Sequence, residues 1–469
     1  MSEQSSTGAR VTSRADSADP APGGQLAIGC AREELPADKI ALLAQATRSL
    51  AHLGVSQAGQ SAAFLVPGRV EFLGKHTDYC GGRSLLCTLD RGFAVVAALR
   101  TDRTIRIVES GGGPPLTFEL HPNLVVTEGH WSNYAMTVAR RIARNFPGKF
   151  SGADIAFVSD LPPSSGLSSS SAMIIAFFLA LAKINRLNER QEYRNNIASP
   201  EDLAGYLGTI ENGQTFGTLT GDRGVGTFGG SQDHTAILCS NPGFLRQYAF
   251  CPVRHERDVP LPSGHVLAIA TSGVIAEKTG AARDSYNALS LAVQTIVERW
   301  RQHSGANDTT LAQIVARGDP TLTQLRRLLS ETRDGAFSAF RLMDRLEQFV
   351  MESNEIIPAA ADALAEGRLE DLGQLVDTSQ DLSERLLRNQ VLETGFLAKS
   401  ARDCGAVAAS AFGAGFGGSV WALVRSAEAE EFLGAWRCTY ARRFPERKRA
   451  STFFVTAGGQ AAQQLTINN

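Results

Sequence analysis

A serine- and glycine-rich segment between a predicted strand and an apolar helix constrains the fold of this chain most. Pro162 to Met173, PPSSGLSSSSAM, follows the strand-like run ADIAFVSD and precedes IIAFFLALAKINR, which predicts a buried helix. A helix N-terminus offers unpaired backbone N–H groups and the positive end of the helix dipole, and glycine permits close backbone approach. The pattern is therefore typical of a phosphate-binding loop, whose serine hydroxyls can also ligate Mg²⁺. A serine-rich linker is the alternative, and no Gly-Lys-Ser/Thr follows as in a Walker A loop.

Composition and charge limit the classes of partner. The chain has 469 residues, of which 43% are apolar and 20% charged, the balance of a soluble globular protein of more than one domain. A formal net charge of −2 gives no reason to expect nucleic acid or an anionic membrane as a partner. The scattered cysteines contain no CxxC pair, which argues against a disulfide framework or a structural zinc site. Since no apolar run is long enough to span a bilayer and no apolar signal core is present, the sequence predicts a cytoplasmic enzyme.

The pattern along the chain predicts a tail and two domains. Residues 1–35 are rich in Ser, Ala, Gly, Asp and Pro without an apolar period, which predicts a flexible tail. A helix is predicted from Ala37, and strand-like runs follow it, so residues 36–255 are expected to form a mixed N-terminal domain. The segment from Ser240 to Gly264 is loop-like and rich in proline, which indicates a domain boundary. Residues 256–469 are then expected to form a C-terminal domain, with a long helical region and strands near its end.

A second glycine-rich segment lies near the end of the chain. Gly413 to Ser419, GAGFGGS, stands between the strand-like runs AVAAS and VWALV. So many glycines between two strands imply that the backbone approaches another group closely. A glycine-rich hairpin turn would give the same pattern, and only the combination with the serine loop favours a binding role.

Polar side chains concentrate in two other segments. Pro67 to Gly82, PGRVEFLGKHTDYCGG, brings several charged groups to the end of a strand, and such convergent donors and acceptors suit a hydroxylated ligand. The side chains concerned are Arg69, Lys75, His76 and Asp78. In the other segment, GTFGGSQDHTA, Asp233 follows a GG turn and precedes an apolar run. This carboxylate is either a helix-capping residue or a catalytic base.

These four segments, in this order, resemble the motifs of galactokinases within the GHMP kinase superfamily. PGRVEFLGKHTDYCGG resembles the galactokinase signature Gly-Arg-Val-Asn-Leu-Ile-Gly-Glu-His-Thr-Asp-Tyr, and LPPSSGLSSSSAM resembles the phosphate loop Pro-x-x-x-Gly-Leu-x-Ser-Ser-Ala. GAGFGGSVWALV resembles the C-terminal glycine motif, GVGTFGGSQDH the segment with the catalytic aspartate, and Asn354 to Asp381 the C-terminal half. The resemblance implies two α+β domains, the first related to domain 2 of ribosomal protein S5 and the second ferredoxin-like. The active site would then lie in the cleft between them.

The resemblance also implies roles for the matching residues. The chain would transfer the γ-phosphoryl group of ATP to the anomeric hydroxyl of a sugar, with Mg²⁺ as cofactor. Asp233 would abstract or orient the anomeric proton, and Arg69 beside it would favour the ionised carboxylate and offset phosphate charge. Both would contact the sugar together with Lys75, His76 and Asp78. The implied ATP-binding residues are Pro162, Gly166, Leu167, Ser168, Ser169, Ser170, Ser171, Gly415, Gly417 and Gly418, and the implied Mg²⁺ ligands are Ser170 and Glu211.

Three departures from the galactokinase pattern change a charged or amide side chain. Lys75 stands where the signature has Glu, Glu71 where it has Asn, and His234 where Gln follows the catalytic aspartate. An ammonium group only donates hydrogen bonds, so Lys75 would suit the carboxylate of a sugar acid. Alternatively, Lys75 pairs with Glu71 outside the pocket. D-galactose is the leading substrate, while L-arabinose, N-acetylgalactosamine and galacturonate or another uronate stay open.

Two other functions compete with a sugar kinase. Relatives of galactokinase act as non-catalytic sugar sensors, but here the phosphate loop and the pair Arg69 and Asp233 are present, which favours an enzyme. Mevalonate and homoserine kinases belong to the same superfamily, but they lack the HTDY segment. The expected partners are therefore a small sugar and ATP.

Overall fold

The computed structural model describes residues 35–55, 61–126, 130–163, 165–275 and 281–465. Residues 1–34, nearly all of the predicted tail, lie outside this part. The helices are α1 (Ala37–His52), α2 (Ser132–Asn145), α3 (Ser169–Ile184), α4 (Gln191–Asn196), α5 (Pro200–Asn212), α6 (Gln232–Cys239), α7 (Ala281–Ser304), α8 (Leu311–Val315), α9 (Asp319–Ser330), α10 (Ala339–Val350), α11 (Ile357–Ala365), α12 (Leu369–Leu382), α13 (Leu392–Asp403) and α14 (Ala429–Arg443). The strands are β1 (Ser61–Leu73), β2 (Arg83–Leu99), β3 (Thr104–Glu109), β4 (Leu116–Glu119), β5 (Ala153–Ser159), β6 (Phe244–Ala249), β7 (Arg254–Pro260), β8 (His265–Thr271), β9 (Ala408–Phe412), β10 (Ser419–Arg425), β11 (Phe453–Thr456) and β12 (Gln463–Leu465).

The larger sheet carries the first half of the predicted site. Within the described part of the chain it has eight strands, in the order β12–β1–β2–β5–β3–β4, with β6 paired to β2 and β7 to β6. β1 and β2 are antiparallel from Ser61↔Ala98 to Leu73↔Leu85, whereas β3 and β5 are parallel. The apolar helix α3 packs on one face and α1 on the other, so both faces are covered. Burial on both sides explains why β2 and β5 are almost continuously apolar.

The smaller sheet supplies the second half. Among the described residues it has four antiparallel strands in the order β11–β8–β10–β9, and α13 and α14 pack on one of its faces. Its other face joins the core of the larger sheet. Trp421 of β10 stacks on Phe72 of β1 with ring centroids 3.9 Å apart, and its indole N–H donates to the Phe72 carbonyl across 3.1 Å. The two sheets therefore share one continuous apolar core, which fixes the walls of the site between them.

In the structure the chain passes from the larger sheet to the smaller one later than the boundary predicted from the sequence. The predicted boundary between residues 255 and 256 falls inside β7, which pairs with β6 as a hairpin, so the chain leaves the larger sheet only after Pro260. The last strand, β12, returns to pair with β1. The segment predicted as a loop thus contains two strands. Its polar residues and prolines conceal the strand pattern because β7 lies at the sheet edge and is largely accessible to solvent.

A cluster of helices covers the loop that follows β1. Helices α7 to α10 pack around Trp300 and enclose Cys80 from that loop. The buried guanidinium of Arg345 on α10 donates to the His76 carbonyl and, at 3.4 Å, to the Tyr79 hydroxyl. The helical region predicted from the sequence therefore shapes the polar loop of the candidate site. None of the helices in the described ranges is long and apolar enough to cross a membrane.

Candidate active site

An ion pair between Arg69 and Asp233 lies at the centre of the site. Arg69 is on β1 and is 1% exposed, and its Nε donates to Asp233 Oδ1 across 2.7 Å. Its Nη1 also donates to the Gly166 carbonyl at 2.9 Å. Asp233 lies in the first turn of α6, where Ser231 is the N-cap, so the carboxylate is not the capping residue. Arg69 therefore connects the Asp233 carboxylate, at the N-terminus of α6, to the serine-rich loop.

The serine-rich loop leads directly into α3. Gly166 and Ser168 have left-handed backbones, with φ of 75° and 62°, and α3 begins at Ser169. The loop packs against β1, since a Cβ at Gly68 would lie 2.9 Å from the Leu167 carbonyl. The hydroxyl of Ser168 is buried and has no hydrogen-bond partner within the described residues. A buried, unsatisfied hydroxyl beside the N-terminus of a long helix is suited to an anionic ligand.

The glycine-rich segment connects β9 and β10 and also contacts this loop. The two strands pair antiparallel from Phe412↔Ser419, so the segment is a hairpin connection, one of the two alternatives drawn from the sequence. The Ser419 hydroxyl donates to the Ser165 carbonyl at 2.6 Å, and a Cβ at Gly413 would lie 3.0 Å from the Gly166 carbonyl. The glycines with positive φ are Gly413, Gly415, Gly417 and Gly418. The turn therefore permits the close approach that the sequence also predicted.

His76 and Asp78 line the cavity beside Asp233. The His76 ring contacts the Tyr79 hydroxyl at 2.9 Å and the Ala414 carbonyl at 3.0 Å, which links the loop after β1 to the glycine-rich turn. Asp78 is buried and accepts from the backbone N–H of Gln232 at 3.1 Å. The structure thus brings together residues that are far apart in the sequence, around a small polar cavity.

Glu211 lines the cavity and connects it to the start of α3. Glu211 is buried, and its carboxylate accepts from Thr227 at 3.1 Å and from Ser171 at 3.2 Å. Ser171 also donates to Asp233 Oδ2 at 3.4 Å. Ser170, the predicted metal ligand, is half-buried in the first turn of α3, whereas Ser171 makes the direct contact with both carboxylates. In place of the family's glutamine, His234 is fully buried, 3.9 Å from Glu211.

Lys75 lies outside the cavity, in contrast to its predicted role as a substrate contact. Its side chain is buried, and Nζ donates to Ser410 on β9 at 2.8 Å and to Ser379 on α12 at 3.1 Å. The ammonium is therefore used to join the loop after β1 to the C-terminal half. The alternative pairing with Glu71 is also not what the structure shows, because Lys75 Nζ donates to these two serines and forms no ion pair with Glu71 among the described residues.

Tyr286 and Glu71 are among the cavity residues that the sequence prediction of the site did not include. Tyr286 on α7 lines the cavity, with its ring centroid 5.4 Å from that of His76. It belongs to no motif, and a single tyrosine early in a helix gives no local signal. Glu71 was recognised only as a departure from the signature, yet it faces the same cavity. The alternation of β1 could have placed Glu71 on the same face as Arg69, two residues earlier.

Three family models match the chain. The galactokinase galactose-binding signature matches residues 54–99, the N-terminal domain of GHMP kinases residues 133–221, and their C-terminal domain residues 360–442. The chain belongs to the GHMP kinases. The two-domain α+β fold predicted from the resemblance is thereby confirmed. Each of the three models covers residues that line the cavity, whereas Asp233 and Tyr286 lie outside the matched ranges.

Galactokinases are prominent among the similar proteins. The galactokinase of Chloroflexus aggregans is 29% identical to this GHMP kinase over 381 residues, which are 80% of this chain and 87% of the relative. That of Glaesserella parasuis is 26% identical over 388 residues, with the same two shares covered. The structure of Lactococcus lactis galactokinase complexed with galactose has a TM-score of 0.74 at 20% identity and covers 90% of this chain and 99% of its own. For the Leishmania major mevalonate kinase complexed with R-mevalonate the TM-score is 0.51 at 15% identity, with 86% and 98% covered.

Proposed function

We propose that this GHMP kinase is a galactokinase that transfers the γ-phosphoryl group of ATP to the anomeric hydroxyl of D-galactose. The observation that supports this most is the ion pair of Arg69 and Asp233 in a cavity lined by the turn between β9 and β10. Asp233 also contacts Ser171 in the first turn of α3. A carboxylate beside a phosphate-binding helix suits the activation of a hydroxyl for phosphoryl transfer. The names of the galactokinase relatives, whose similarity extends over most of the chain, support the substrate.

In this mechanism the chain contributes position and charge. Asp233 Oδ2 lies near the start of α3, so a sugar hydroxyl hydrogen-bonded to this carboxylate would point towards phosphates held by that helix. Asp233 accepts or orients the hydroxyl proton, and Arg69 offsets negative charge that develops between the reactants. His76 and Asp78 hold the sugar ring through its hydroxyls, because both line the cavity with polar atoms.

ATP is expected to bind along the serine-rich loop and the glycine-rich turn. The first-turn N–H groups of α3 and the buried hydroxyl of Ser168 would donate to phosphate oxygens. The positive φ of the glycines at 415, 417 and 418 lets the backbone of the turn approach the opposite side of the nucleotide closely. The residues proposed to contact ATP remain those predicted from the sequence: Pro162, the run from Gly166 to Ser171, and the glycines at 415, 417 and 418.

The residues near the start of α3 also suit Mg²⁺. Mg²⁺ prefers one or two protein oxygen ligands together with phosphate oxygens and water, and a carboxylate with a nearby serine hydroxyl supplies such a set. Ser170 and Glu211 are the proposed ligands, with Ser171 orienting the Glu211 carboxylate. When bound, the ion would neutralise phosphate charge. Consistent with so few protein ligands, the described residues contain no cluster of three or more His, Cys, Asp or Glu side chains able to hold a metal.

The charge of the cavity favours a neutral sugar over a uronate. Four carboxyl groups line the cavity, whereas its arginine is already paired with one of them. These groups are Glu71, Asp78, Glu211 and Asp233. A sugar carboxylate would meet like charges there and would find no ammonium, since Lys75 is directed elsewhere. D-galactose is thus the preferred substrate, and L-arabinose and N-acetylgalactosamine remain the neutral alternatives.

Two broader expectations are part of the same proposal. We place the enzyme in the cytoplasm, where ATP and free sugars are available. We also propose two functional domains, each of which contributes one side of the cavity. The boundary between them is placed after β7 instead of after residue 255. Neither expectation affects the chemistry at Asp233.

A coupled assay tests the proposal. Purified protein is incubated with Mg-ATP and one of several free sugars: galactose, arabinose, N-acetylgalactosamine, galacturonate or glucuronate. We expect ADP release with galactose, little with either uronate, and none above background for Asp233→Asn. Release only with a uronate would contradict the neutral substrate. Binding of ATP and galactose without any release would identify a sugar sensor and overturn the kinase.

A further inference from the structure

Glu71 is a buried carboxyl group that faces the proposed sugar cavity. It lies on β1 two residues after Arg69, and only 3% of it is exposed to solvent. It lines the cavity that contains Asp233, and its Oε1 has no hydrogen-bond partner in the described part of the chain. Buried polar atoms are nearly always hydrogen-bonded, so an unsatisfied one at the wall of a ligand cavity indicates a partner supplied by the ligand.

A second buried glutamate provides a comparison. Glu352, on the helical segment after α10, is fully buried and also has one oxygen, Oε2, without a hydrogen bond. Its other oxygen accepts from the backbone N–H groups of Gly74, at 2.8 Å, and of Lys75, at 3.4 Å. Glu352 therefore holds a turn of the chain and does not line the cavity, whereas Glu71 lines it and its Oε1 has no such backbone partner.

We infer that Glu71 is a substrate contact, whose carboxyl group exchanges a hydrogen bond with one hydroxyl of the sugar and so helps to select a neutral polyol. The inference rests on the proposed sugar kinase activity, because it assigns a further residue to the same site. Asp233 is the residue proposed to act on the reacting hydroxyl, so Glu71, a separate residue of the same cavity, is assigned to another hydroxyl of the sugar. The contact thus serves recognition, and the chemistry stays with Asp233.

The groups around Glu71 support a hydrogen bond from its acid form. Burial raises the pKa of Glu71 to about 8, against the lowering effect of Arg69 and then Lys75. The negative charges of Asp233 and Glu352 act in the same direction as burial. A carboxyl group that keeps its proton near neutral pH can both donate to and accept from a sugar hydroxyl. In this neutral form Glu71 also adds no negative charge to the cavity, next to which the ATP phosphates are expected to bind.

Substitution of Glu71 tests the inference through the sugar KM. Glu71→Met removes the hydrogen bond at similar volume and is expected to raise the sugar KM about five- to tenfold, with the ATP KM within about twofold of wild type. Glu71→Gln keeps a donor and an acceptor, so it should restore most of the sugar affinity. A Met variant with unchanged sugar KM, or one in which both KM values rise together, would overturn the inference.

Monodeoxy sugars identify the hydroxyl concerned. Wild type should lose kcat/KM with each deoxygalactose that lacks a bound hydroxyl. For the one that lacks the partner of Glu71, wild type and Glu71→Met should have equal kcat/KM, while the other deoxy sugars keep the full difference between the two proteins. Equal effects of Glu71→Met on every sugar would show a structural role. If Glu71→Met does not fold, Glu71→Asn replaces it in the same measurement.

The two proposals can fail separately. If wild type phosphorylates no sugar at all, the proposed kinase activity fails, and the inference fails with it. If wild type is active and the Glu71 variants match it in sugar KM, only the inference fails. Glu256→Gln is the control, because Glu256 is paired with Arg83 and does not line the cavity, so its substitution should leave the sugar KM unchanged.

Discussion

The ammonium of Lys75 lies 2.8 Å from the hydroxyl of Ser410, so a residue of the predicted sugar loop is bonded to β9 of the smaller sheet. This contact, together with the one to Ser379, makes Lys75 a link between the two halves of the chain. The consequence for substitution differs from what the sequence suggested. Replacing Lys75 with glutamate would change the charge of this side chain but would not direct it into the cavity.

Lys75→Glu is expected to destabilise the protein and not to change its substrate. The new carboxylate would be buried near Glu71 and Glu352, with no cation in hydrogen-bond contact, at a cost of more than about 3 kcal/mol in the free energy of unfolding. Urea denaturation measures this loss, with the exposed Lys399→Glu as the control that should stay close to wild type. A stable Lys75→Glu protein with a changed ratio of galactose to galacturonate turnover would contradict the structural role.

Asp233→Asn is expected to lower kcat by about 10²- to 10⁴-fold, because the amide cannot take up a proton. The amide oxygen can still accept from Arg69, so the fold and the affinity for ATP should be retained. Steady-state assays and equilibrium nucleotide binding measure the two effects. A variant that keeps more than about a tenth of the wild-type kcat would argue that Asp233 does not act on the proton.

Ser170→Ala and Ser171→Ala separate two neighbouring hydroxyls. Ser170 is the proposed metal ligand, so its removal should raise the Mg²⁺ concentration needed for half-maximal activity by about tenfold. Ser171 stands where the phosphate-loop motif has alanine and contacts Glu211 and Asp233, so its removal should lower kcat severalfold and change the Mg²⁺ dependence less than Ser170→Ala does. Titration of activity with Mg²⁺ at saturating ATP distinguishes them. The reverse result would assign the metal contact to Ser171.

Gly415→Ala is expected to weaken both folding and ATP binding. Gly415 has a φ of 80°, and a Cβ there would overlap the backbone carbonyl of Asn389. Gly405→Ala is the matched control, since Gly405 has a φ of 100° but no atom within 4 Å of the added Cβ. Both variants carry backbone strain of about 1 kcal/mol, and only Gly415→Ala adds the overlap. Equal melting temperatures and equal ATP KM values for the two would refute the packing argument.

Glu71→Gln should change how stability depends on pH. Because the folded pKa of about 8 exceeds that of an unfolded glutamate, the folded wild type binds more protons and loses stability as pH rises from about 4.5 to about 8. A neutral glutamine removes that loss, so the variant should gain in stability relative to wild type across this range and show no further gain above it. Urea midpoints between these pH values measure the difference. A constant difference would show that Glu71 titrates normally.

Much of the site could be predicted from sequence because its residues lie in local motifs. The strand–loop–helix pattern around Gly166 and the position of Asp233 after a GG turn are visible in short windows of the chain. The pairing of Arg69 with Asp233 followed only from the family resemblance. The direction of Lys75 could not be predicted, since its partners Ser379 and Ser410 are brought close by the fold.

The fold, like the site, could be predicted from the sequence only in part. The apolar helix α3 and the strand β5 follow from periodicity, whereas β7 was missed because an edge strand tolerates charged residues and proline. Tyr286 was missed because its role arises from the packing of α7 against the loop after β1. In each case the missing information is a contact between distant segments, which a local pattern does not contain.

The return of β12 to β1 has a consequence for how the molecule is made. Residues 463–465 pair with residues 63–65, so the two partners are synthesised at opposite ends of the described chain. The edge of the larger sheet next to β1 therefore stays open while the ribosome makes everything between them. Until that moment the strand edge at residues 63–65 can pair with another chain, and β12 then covers this part of the edge.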